Sequence, residues 1–499
     1  MGRRGGDPQA HPGALRRGRR PRLHPAAPSR RPARARREGA RAARAGIAVN
    51  AARLRLAFVA SVALAALVAC ADARRPPNVL LISLDTTRAD HCSVNGYARD
   101  TTPNLVRLAA EGARFPAAYA PSATTAPSHA TLFTSLAPPA HGVVKNGVPL
   151  GEQPRTLAET LGEAGYQTAA IVSSFVLTQR FGWARGFERY VDYFDRARSS
   201  VQDRKWEGIE IAGGFDRRAD ETTRLALDWL AQWRAQDRPF FLFVHYFDPH
   251  SPYDPPAEFA ERFAPAADDP RSAAIARYDA EIAFTDAAVG ELLAGLERAG
   301  LARDTVVIVS ADHGEGLGQH GVAEHGRRIY EEAVRVPLIV RWPARIRAGL
   351  EIAAPAAWID LAPTITELAG IARPPAWQGE SLAPALVGGA PLDAERPIFL
   401  FRRHYLEGLE QGGRVAGEKY GVRVGRWKYL HAPDEGVTEL YDLESDPGEL
   451  RNLAETHAGE RDRLAQQLGA WLASMPATRP APTLDEGVSE RMRALGYAE

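Results

Sequence analysis

Three segments of the chain carry side chains that could hold a metal ion and attack an ester. Asp85 lies in SLDTTRAD, Asp312 and His313 lie in VSADHGEGLGQHG, and a hydroxyl-rich run covers Ser122–Ser135. Two carboxylates and one imidazole form a ligand set that suits a divalent metal. A hydroxyl near both the metal and a helix N-terminus is placed to become a nucleophile, and the helix end would stabilise an anionic ester. Spacing alone does not establish that the three segments meet.

The elements that must position these side chains alternate between strand and helix patterns. Continuous apolar runs that end in polar residues predict buried strands at 78–85, 239–250 and 304–315. Helical spacing predicts helices at 102–112, 220–236 and 276–300, and 156–174 favours a helix, a turn and a strand. This alternation predicts an α/β fold with a mostly parallel sheet sandwiched by helices. The polar motifs follow the strands, where open α/β sheets place their sites.

The pattern changes after about Pro391. PIFLFRR, YGVRVGRWKYLHA and TELYDLESDPGEL read as short strands joined by turns, followed by a helix at Glu460–Leu472 and a Pro-rich tail. They predict a small C-terminal α+β subdomain with an antiparallel sheet. We therefore expect a large domain over 77–392, the small subdomain over 393–475 and a tail over 476–499.

The first seventy residues differ from the body of the chain. Residues 1–55 contain 16 arginines and two acidic residues. Because the whole chain has a net charge of only +1, the residues after 55 carry a net negative charge. An acidic body argues against nucleic acid as a partner, and the composition of residues 1–55 predicts a disordered basic leader, if this stretch is translated at all. The two cysteines, Cys70 and Cys92, exclude a disulfide framework.

Residues 56–70 read as an export signal. Fifteen uncharged residues follow Arg55, which is short for a membrane span but typical of a secretory signal. The run ends in Leu67-Val68-Ala69-Cys70, which resembles the lipobox of bacterial lipoproteins. This resemblance implies lipidation at Cys70 and a periplasmic or cell-envelope protein tethered to the membrane; a plain signal peptide or a short anchor is the alternative.

Five motifs together resemble the sulfatase family of the alkaline phosphatase superfamily. They are NVLLISLDTTRADH, APSHATLFTSLAPPAHGV, FVHYFDPHSPY, SADHGEGLGQHG and RVGRWKYL with ELYDLESDPGELRNLA, in the family's order from about Asn78 to Leu453. The resemblance implies an alkaline-phosphatase-like domain with a small C-terminal subdomain, one divalent metal or two, and attack on a sulfate or phosphate ester.

The chain departs from the family pattern at the residues that grip a sulfate. The Cys or Ser that becomes formylglycine is matched by Thr125, whose secondary hydroxyl cannot give that aldehyde. The signature arginine is matched by His129, a later lysine by His325, and the second aspartate of the usual pair by Thr86. These replacements favour phosphoester chemistry slightly over sulfate ester chemistry.

The residues that remain resemble a one-metal set with a threonine nucleophile. Asp85, Thr125, Asp312 and His313 are similar to the set in phosphoethanolamine and phosphoglycerol transferases and nucleotide pyrophosphatases of the superfamily, with Zn²⁺, Mn²⁺ or Ca²⁺ as the metal. The resemblance implies that His250 and His325 surround the phosphoryl group, and that either protonates the leaving oxygen. It also implies substrate contacts from His129 and, through the phosphonate monoester hydrolases, from Asn146.

Each of these residues also has a structural interpretation. Asp85 and Asp312 could form turns or cap helices, and the Thr125 hydroxyl could be a helix N-cap, which would leave Thr124 as the rival nucleophile. We expect a metal-dependent hydrolase of sulfate or phosphate (di)esters. Its substrate would be a sulfated or phosphorylated small molecule, a glycan or a lipid headgroup. The alternatives are a phospho-group transferase and an inactive metal-binding homologue, and specificity is expected in the loops 195–215 and 402–418.

Overall fold

The computed structural model describes residues 75–206, 209–233, 238–410 and 413–475. The expected leader, the export signal with Cys70 and the tail lie outside the described residues. No helix within the described ranges is both long enough and apolar enough to cross a membrane.

The central element is an eight-stranded sheet with the strand order β12-β2-β11-β9-β1-β8-β4-β5. The pairs β9-β1, β1-β8, β8-β4 and β4-β5 are parallel, while β11 runs antiparallel to β9 and β2. The strands of the described chain are, in order, β1 (Asn78–Leu84), β2 (Ala113–Arg114), β3 (Ala118–Tyr119), β4 (Gln167–Ile171), β5 (Arg189–Val191), β6 (Lys205–Trp206), β7 (Ile209–Glu210), β8 (Phe240–Tyr246), β9 (Thr305–Ala311), β10 (Arg335–Val336), β11 (Leu338–Arg341), β12 (Leu350–Glu351), β13 (Ala356–Ala357), β14 (Ile398–Glu410), β15 (Gly413–Val424), β16 (Trp427–Ala432) and β17 (Val437–Asp442).

The three strands at the centre of this sheet are buried along their whole length. Every residue of β1, β8 and β9 is buried, and because successive side chains point to opposite faces, both faces of the sheet are covered. The parallel register sets Leu84 beside Ala311 and Tyr246. The three strands therefore end together at one edge, as the apolar runs in the sequence predict.

The helices cover the sheet and agree with the sequence patterns. The sequence prediction of a helix at Asp220–Gln236 corresponds to a helix that begins one residue earlier and ends at Gln232. Among the described residues the helices are α1 (Pro103–Ala110), α2 (Thr125–Thr134), α3 (Pro138–His141), α4 (Leu157–Glu163), α5 (Ala219–Gln232), α6 (Ala257–Ala260), α7 (Pro270–Arg298), α8 (Glu331–Val334), α9 (Leu361–Leu368), α10 (Ala383–Val387) and α11 (Ala458–Ser474).

The C-terminal part forms the expected small antiparallel sheet. Its strand order is β14-β15-β16-β17, and α11 packs on it through Leu464 and Leu468, which are buried against Val422 and Leu440. Burying each leucine stabilises this contact by about 1.5–3 kcal/mol. The mixed α/β fold with a C-terminal antiparallel sheet confirms the fold class, while the domain boundaries stay predictions.

Candidate active site at the strand ends

The two aspartates and His313 lie at the carboxyl edge of the central strands. Asp85 directly follows β1, and Asp312 and His313 directly follow β9. The backbone N–H of Asp312 donates to the carbonyl of Leu84, 3.3 Å away. Because β1 and β9 are parallel neighbours in matching register, their first polar residues come to lie side by side.

These three side chains form a buried group that fits a metal ion. Their ligand atoms lie within 4.8 Å of one another. His313 Nε2 is 3.7 Å from Asp85 Oδ1 and 3.6 Å from Asp312 Oδ2. Both carboxylate oxygens of Asp85 and Oδ2 of Asp312 are buried without a hydrogen-bond partner. Unpartnered buried carboxylates are costly, and carboxylate oxygens with an imidazole nitrogen suit Zn²⁺ or Mn²⁺.

The electrostatics of this group favour a cation. Burial raises the pKa of the Asp85 carboxyl, and burial together with the neighbouring charge of Asp85 raises the pKa of Asp312 well above its usual range. Burial also lowers the pKa of His313, which keeps its imidazole neutral and able to ligate. A divalent ion would reverse the penalty on the two carboxylates.

Thr125 is the first residue of α2, and its side chain reaches the metal-ligand group. The residue at the N-cap position is Thr124, whose side chain makes no cap hydrogen bond. Thr125 is 2% exposed, and its Oγ1 lies 3.3 Å from His313 Nε2. Thr125 is therefore not the N-cap residue of α2. Of the two threonines, Thr125 is the one in contact with His313.

Asn146 lies at the same helix end. Its Oδ1 accepts a hydrogen bond of 2.8 Å from the backbone N–H of Ala126, one of the N–H groups that a helix start leaves without an internal partner. The bond fixes Asn146 beside Thr125 and leaves its Nδ2 as a donor. The substrate contact expected of Asn146 stays a prediction.

His250 and His325 lie together on one side of His313. Their ring centroids are 5.0 Å apart, and the centroid of His325 is 4.6 Å from that of His313. His250 stacks on Phe247 at 4.5 Å, and its Nδ1 donates to the carbonyl of Ser251 at 2.6 Å, which leaves Nε2 available. The structure thus gathers the two histidines that the sequence proposes for proton transfer.

Glu315 is a buried partner of His325 that the sequence reasoning did not identify. Its two carboxylate oxygens are each 3.3 Å from His325 Nδ1, and the residue is fully buried. Burial acts to lower the pKa of His325, but the charge and hydrogen bond of Glu315 outweigh it, so the pKa is raised. Burial lowers the pKa of His250. The two histidines therefore differ, and His325 is the one that more readily carries the proton that a leaving group needs.

His129 reaches the group from the interior. Its Nδ1 donates to the carbonyl of Thr125 at 2.8 Å, and its Nε2 is 3.0 Å from Ser83 Oγ. The ring is fully buried, and burial, with a smaller contribution from His245, lowers its pKa to about 3. Both nitrogens are thus engaged within the protein, so His129 orients Thr125 through the backbone, and its expected substrate contact stays a prediction.

His245 is a second residue that the sequence reasoning missed. It is fully buried near the end of β8, and its Nε2 is 3.4 Å from Asp85 Oδ2. With His129 and Asp312 it forms a second group of metal-ligand types, which shares Asp312 with the first. The sequence offered one signal, a histidine inside the apolar run FFLFVHYF. That run forms β8, which pairs with β1, the strand that ends just before Asp85.

Comparisons with known proteins identify the family of the chain. A family model described as Sulfatase matches residues 77–371, and one described as N-sulphoglucosamine sulphohydrolase, C-terminal, matches residues 318–476. The N-acetylglucosamine-6-O-sulfatase of Bacteroides thetaiotaomicron is 25% identical over 78% of this chain and 85% of its own length.

Two solved structures have the same fold. The phosphonate monoester hydrolase of Agrobacterium radiobacter is 25% identical with a TM-score of 0.66, covering 80% of this chain and 95% of its own. A protein in complex with its substrate D-glucosamine-2-N,6-O-disulfate is 22% identical with a TM-score of 0.66, covering 84% of this chain and 98% of its own. Since the Sulfatase model spans more than half of the sequence, the chain belongs to the sulfatase family and is an ester hydrolase.

Proposed function

We propose that this protein is a metal-dependent hydrolase of sulfate or phosphate esters, including phosphodiesters, with Thr125 as the nucleophile. The observation that carries the proposal is the position of Thr125 Oγ1, 3.3 Å from His313 Nε2 and at the first turn of α2. The secondary hydroxyl of threonine cannot be converted to the formylglycine aldehyde. We therefore assign the attack to the unconverted hydroxyl.

Asp85, Asp312 and His313, together with the hydroxyl of Thr125, would hold one divalent ion. The unpartnered carboxylate oxygens of the two aspartates support this assignment. Bound there, Zn²⁺, Mn²⁺ or Ca²⁺ would supply Lewis acidity that favours the ionised threonine hydroxyl and polarises a non-bridging ester oxygen. The two-metal alternative would place a second ion at His129, His245 and Asp312, where the ion would have to replace one of the two hydrogen bonds of the His129 ring.

The protein's own groups account for the remaining steps. Thr125 Oγ1, whose hydroxyl proton passes to water, attacks sulfur or phosphorus in line, which forms a threonine ester and breaks the bond to the leaving oxygen. His325, whose protonated form the charge of Glu315 stabilises, gives its proton to that oxygen. The N-terminus of α2 and the Nδ2 group of Asn146 stabilise the anionic oxygens. Water, deprotonated by the neutral His250, then hydrolyses the threonine ester.

The threonine nucleophile favours phosphodiesters, and the relatives suggest a glycan. The family's arginine and lysine are replaced by His129 and His325, and burial lowers the pKa of His129 to about 3, so a phosphate monoester dianion meets fewer fixed positive charges. A phosphodiester and a sulfate ester each carry one negative charge, and because Thr125 cannot form the formylglycine of the sulfatases, we favour the phosphodiester of these two. The name of the Bacteroides thetaiotaomicron relative suggests a sugar ester. Export and membrane tethering through Cys70 belong to the same proposal.

The test is hydrolysis of a matched panel by the purified full-length protein with Zn²⁺, Mn²⁺ or Ca²⁺. The panel contains p-nitrophenyl sulfate, p-nitrophenyl phosphate, a phosphodiester and a phosphonate monoester, each run beside Thr125→Ala and Thr124→Ala. We expect phosphodiester or phosphonate turnover that Thr125→Ala abolishes and Thr124→Ala retains. Full activity of Thr125→Ala would overturn the nucleophile assignment, and faster turnover of the sulfate would overturn the preference for phosphoesters.

A further inference from the structure

We infer that Tyr405 and Arg403 form a leaving-group subsite at the rim of the active site, which selects esters whose leaving group is a ring bearing a further negative charge. The inference rests on the proposed ester hydrolysis at Thr125. It assigns the hairpin β14–β15 of the C-terminal sheet a part in substrate choice.

The hairpin extends beyond the sheet to which it belongs. β15 pairs with β16 only from Tyr420 to Val424, whereas its pairing with β14 continues to the hairpin end. The register between β14 and β15 shifts twice, once before and once after Tyr405. Bulges of this kind re-aim the side chain that they flank.

Tyr405 is aimed at the nucleophile end of the active site. Its hydroxyl donates to the carbonyl of Gly326 at 3.1 Å. A Cβ atom at Gly326 would lie 3.3 Å from that hydroxyl and 3.6 Å from Thr124 Oγ1. Gly326 directly follows His325, and Thr124 directly precedes Thr125, so the tyrosine borders the space between the acid and the nucleophile.

Arg403 lies on the ring of Tyr405. Its guanidinium carbon is 4.1 Å from the ring centroid, a cation–π contact. Arg403 is half-buried and pairs with no carboxylate of the described residues, whereas the neighbouring Arg402 is buried and bound by Glu435 at 2.6 Å. Arg402 therefore anchors the hairpin, and the guanidinium of Arg403 is available to pair with an anionic group of a ligand.

The combination fits one class of leaving group. An aromatic face binds the apolar side of a sugar or aryl ring, and a guanidinium pairs with carboxylate, sulfate or phosphate through two parallel hydrogen bonds. A ring that carries a second anionic group satisfies both contacts. A cationic leaving group would be repelled by Arg403.

The experiment compares two esters that differ by one charge. The probes are a 4-nitrophenyl ester and the corresponding 3-carboxy-4-nitrophenyl ester of whichever sulfuryl, phosphoryl or phosphonyl group the panel above identifies. We expect Arg403→Gln to lower the ratio of kcat/KM for the charged ester to that for the neutral ester about tenfold, as loss of a charge-assisted hydrogen bond does. The effect should shrink at high salt.

Three further variants separate the subsite from a general loss of structure. Arg303→Gln, an exposed arginine at the opposite end of β9, should leave the ratio unchanged. Tyr405→Phe should retain most of the selectivity because it keeps the ring, and Tyr405→Ala should lose it. An unchanged ratio in Arg403→Gln would overturn the inference.

A binding measurement keeps this test independent of the proposed function. Titration calorimetry at pH 6 with 3-carboxy-4-nitrophenol and 4-nitrophenol, the two free leaving groups, needs no turnover. Tighter binding of the carboxylated phenol by the wild type, lost in Arg403→Gln, would support the subsite even if neither ester is hydrolysed. Equal binding of the two phenols would overturn the subsite, whatever the outcome of the ester panel.

Discussion

Lys428→Met should destabilise the protein in a pH-dependent way. Lys428 is fully buried on β16, and its Nζ lies 3.0 Å from Glu331 Oε1 and 3.0 Å from Glu449 Oε1. Glu331 is the first residue of α8, whose backbone carbonyls accept hydrogen bonds from the loop that follows His313. The lysine thus ties the C-terminal sheet to the segment that supports the active site.

The magnitude follows from the burial of the three charges. Removing one partner from a buried ion pair costs about 3–5 kcal/mol, since the carboxylates are left without a counter-charge. Burial raises the pKa of Glu449 from 4.5 to about 7, although Lys428 lowers it. Because the folded pKa lies above the unfolded value, the contribution of Glu449 to stability is fully present below pH 4.5 and is lost as the pH rises to about 7.

Without Lys428, which lowers the pKa of Glu449, that pKa rises further. The loss of stability from ionising Glu449 then continues above pH 7. Each further pH unit is worth about 1.4 kcal/mol for one carboxyl group, so the destabilisation at pH 8 should exceed that at pH 5 by about this amount. At pH 5 Glu449 is protonated in both proteins, and its share of the difference disappears.

Urea unfolding of wild type and variant at pH 5 and pH 8 measures this effect. Lys205→Met is the matched control, because the 3.9 Å pair of Lys205 with Glu210 is exposed and should contribute less than about 1 kcal/mol. Adding Glu449→Gln to Lys428→Met should recover part of the stability at pH 8. A change below about 1 kcal/mol for Lys428→Met, or one that is equal at both pH values, would refute the reasoning, given the cost expected for a broken buried pair.

Three further predictions concern the active site. Asp312→Asn should bind less metal by elemental analysis, yet its metal-free form should melt no lower than the metal-free wild type, because one of two like buried carboxylates is gone; a lower melting temperature would contradict the electrostatic argument. Glu315→Gln removes the charge that raises the pKa of His325, so the alkaline fall of the pH–rate profile should move to lower pH; an unmoved profile would exclude His325 as the acid. His245→Gln should weaken metal binding about 10–100-fold in chelator competition, the usual effect of losing a residue that supports a ligand; unchanged affinity would leave His245 without a part in the metal site.

The sequence was sufficient to predict the frame of the site. The apolar runs that end at Asp85 and Asp312 predict parallel strands, and parallel strands bring such ends together at one edge. The structure has both carboxylates and His313 in one buried group. The first polar residue after an apolar run marks the end of the strand, so the strand ends could be predicted from the sequence.

The site residues that the sequence did not reveal are placed by the direction of a side chain from its strand or by contacts between distant parts of the chain. Every residue of β8 is buried, so its sequence does not alternate between apolar and polar residues. The position of His245 in this run therefore does not show which face of the sheet its side chain occupies. Glu315 meets His325 because the loop after β9 folds back, and Tyr405 meets Gly326 because a hairpin bulges. Neither contact has a local signature. Cys70 lies outside the described residues, so its lipidation stays a prediction.

The central claim is that the hydroxyl of Thr125 forms a covalent ester with the transferred group. Acid quenching during turnover of a slow phosphodiester or sulfate substrate, followed by peptide mass spectrometry, tests it directly. We predict one adduct on the peptide that contains Thr125, assigned to that residue by fragmentation and missing from Thr125→Ala. The adduct is a sulfo group from a sulfate ester, or, from a phosphodiester, a phosphoryl group that still carries the substituent of its second ester bond. An adduct on Thr124 or Ser128, or turnover by Thr125→Ala at the wild-type rate, would contradict the claim.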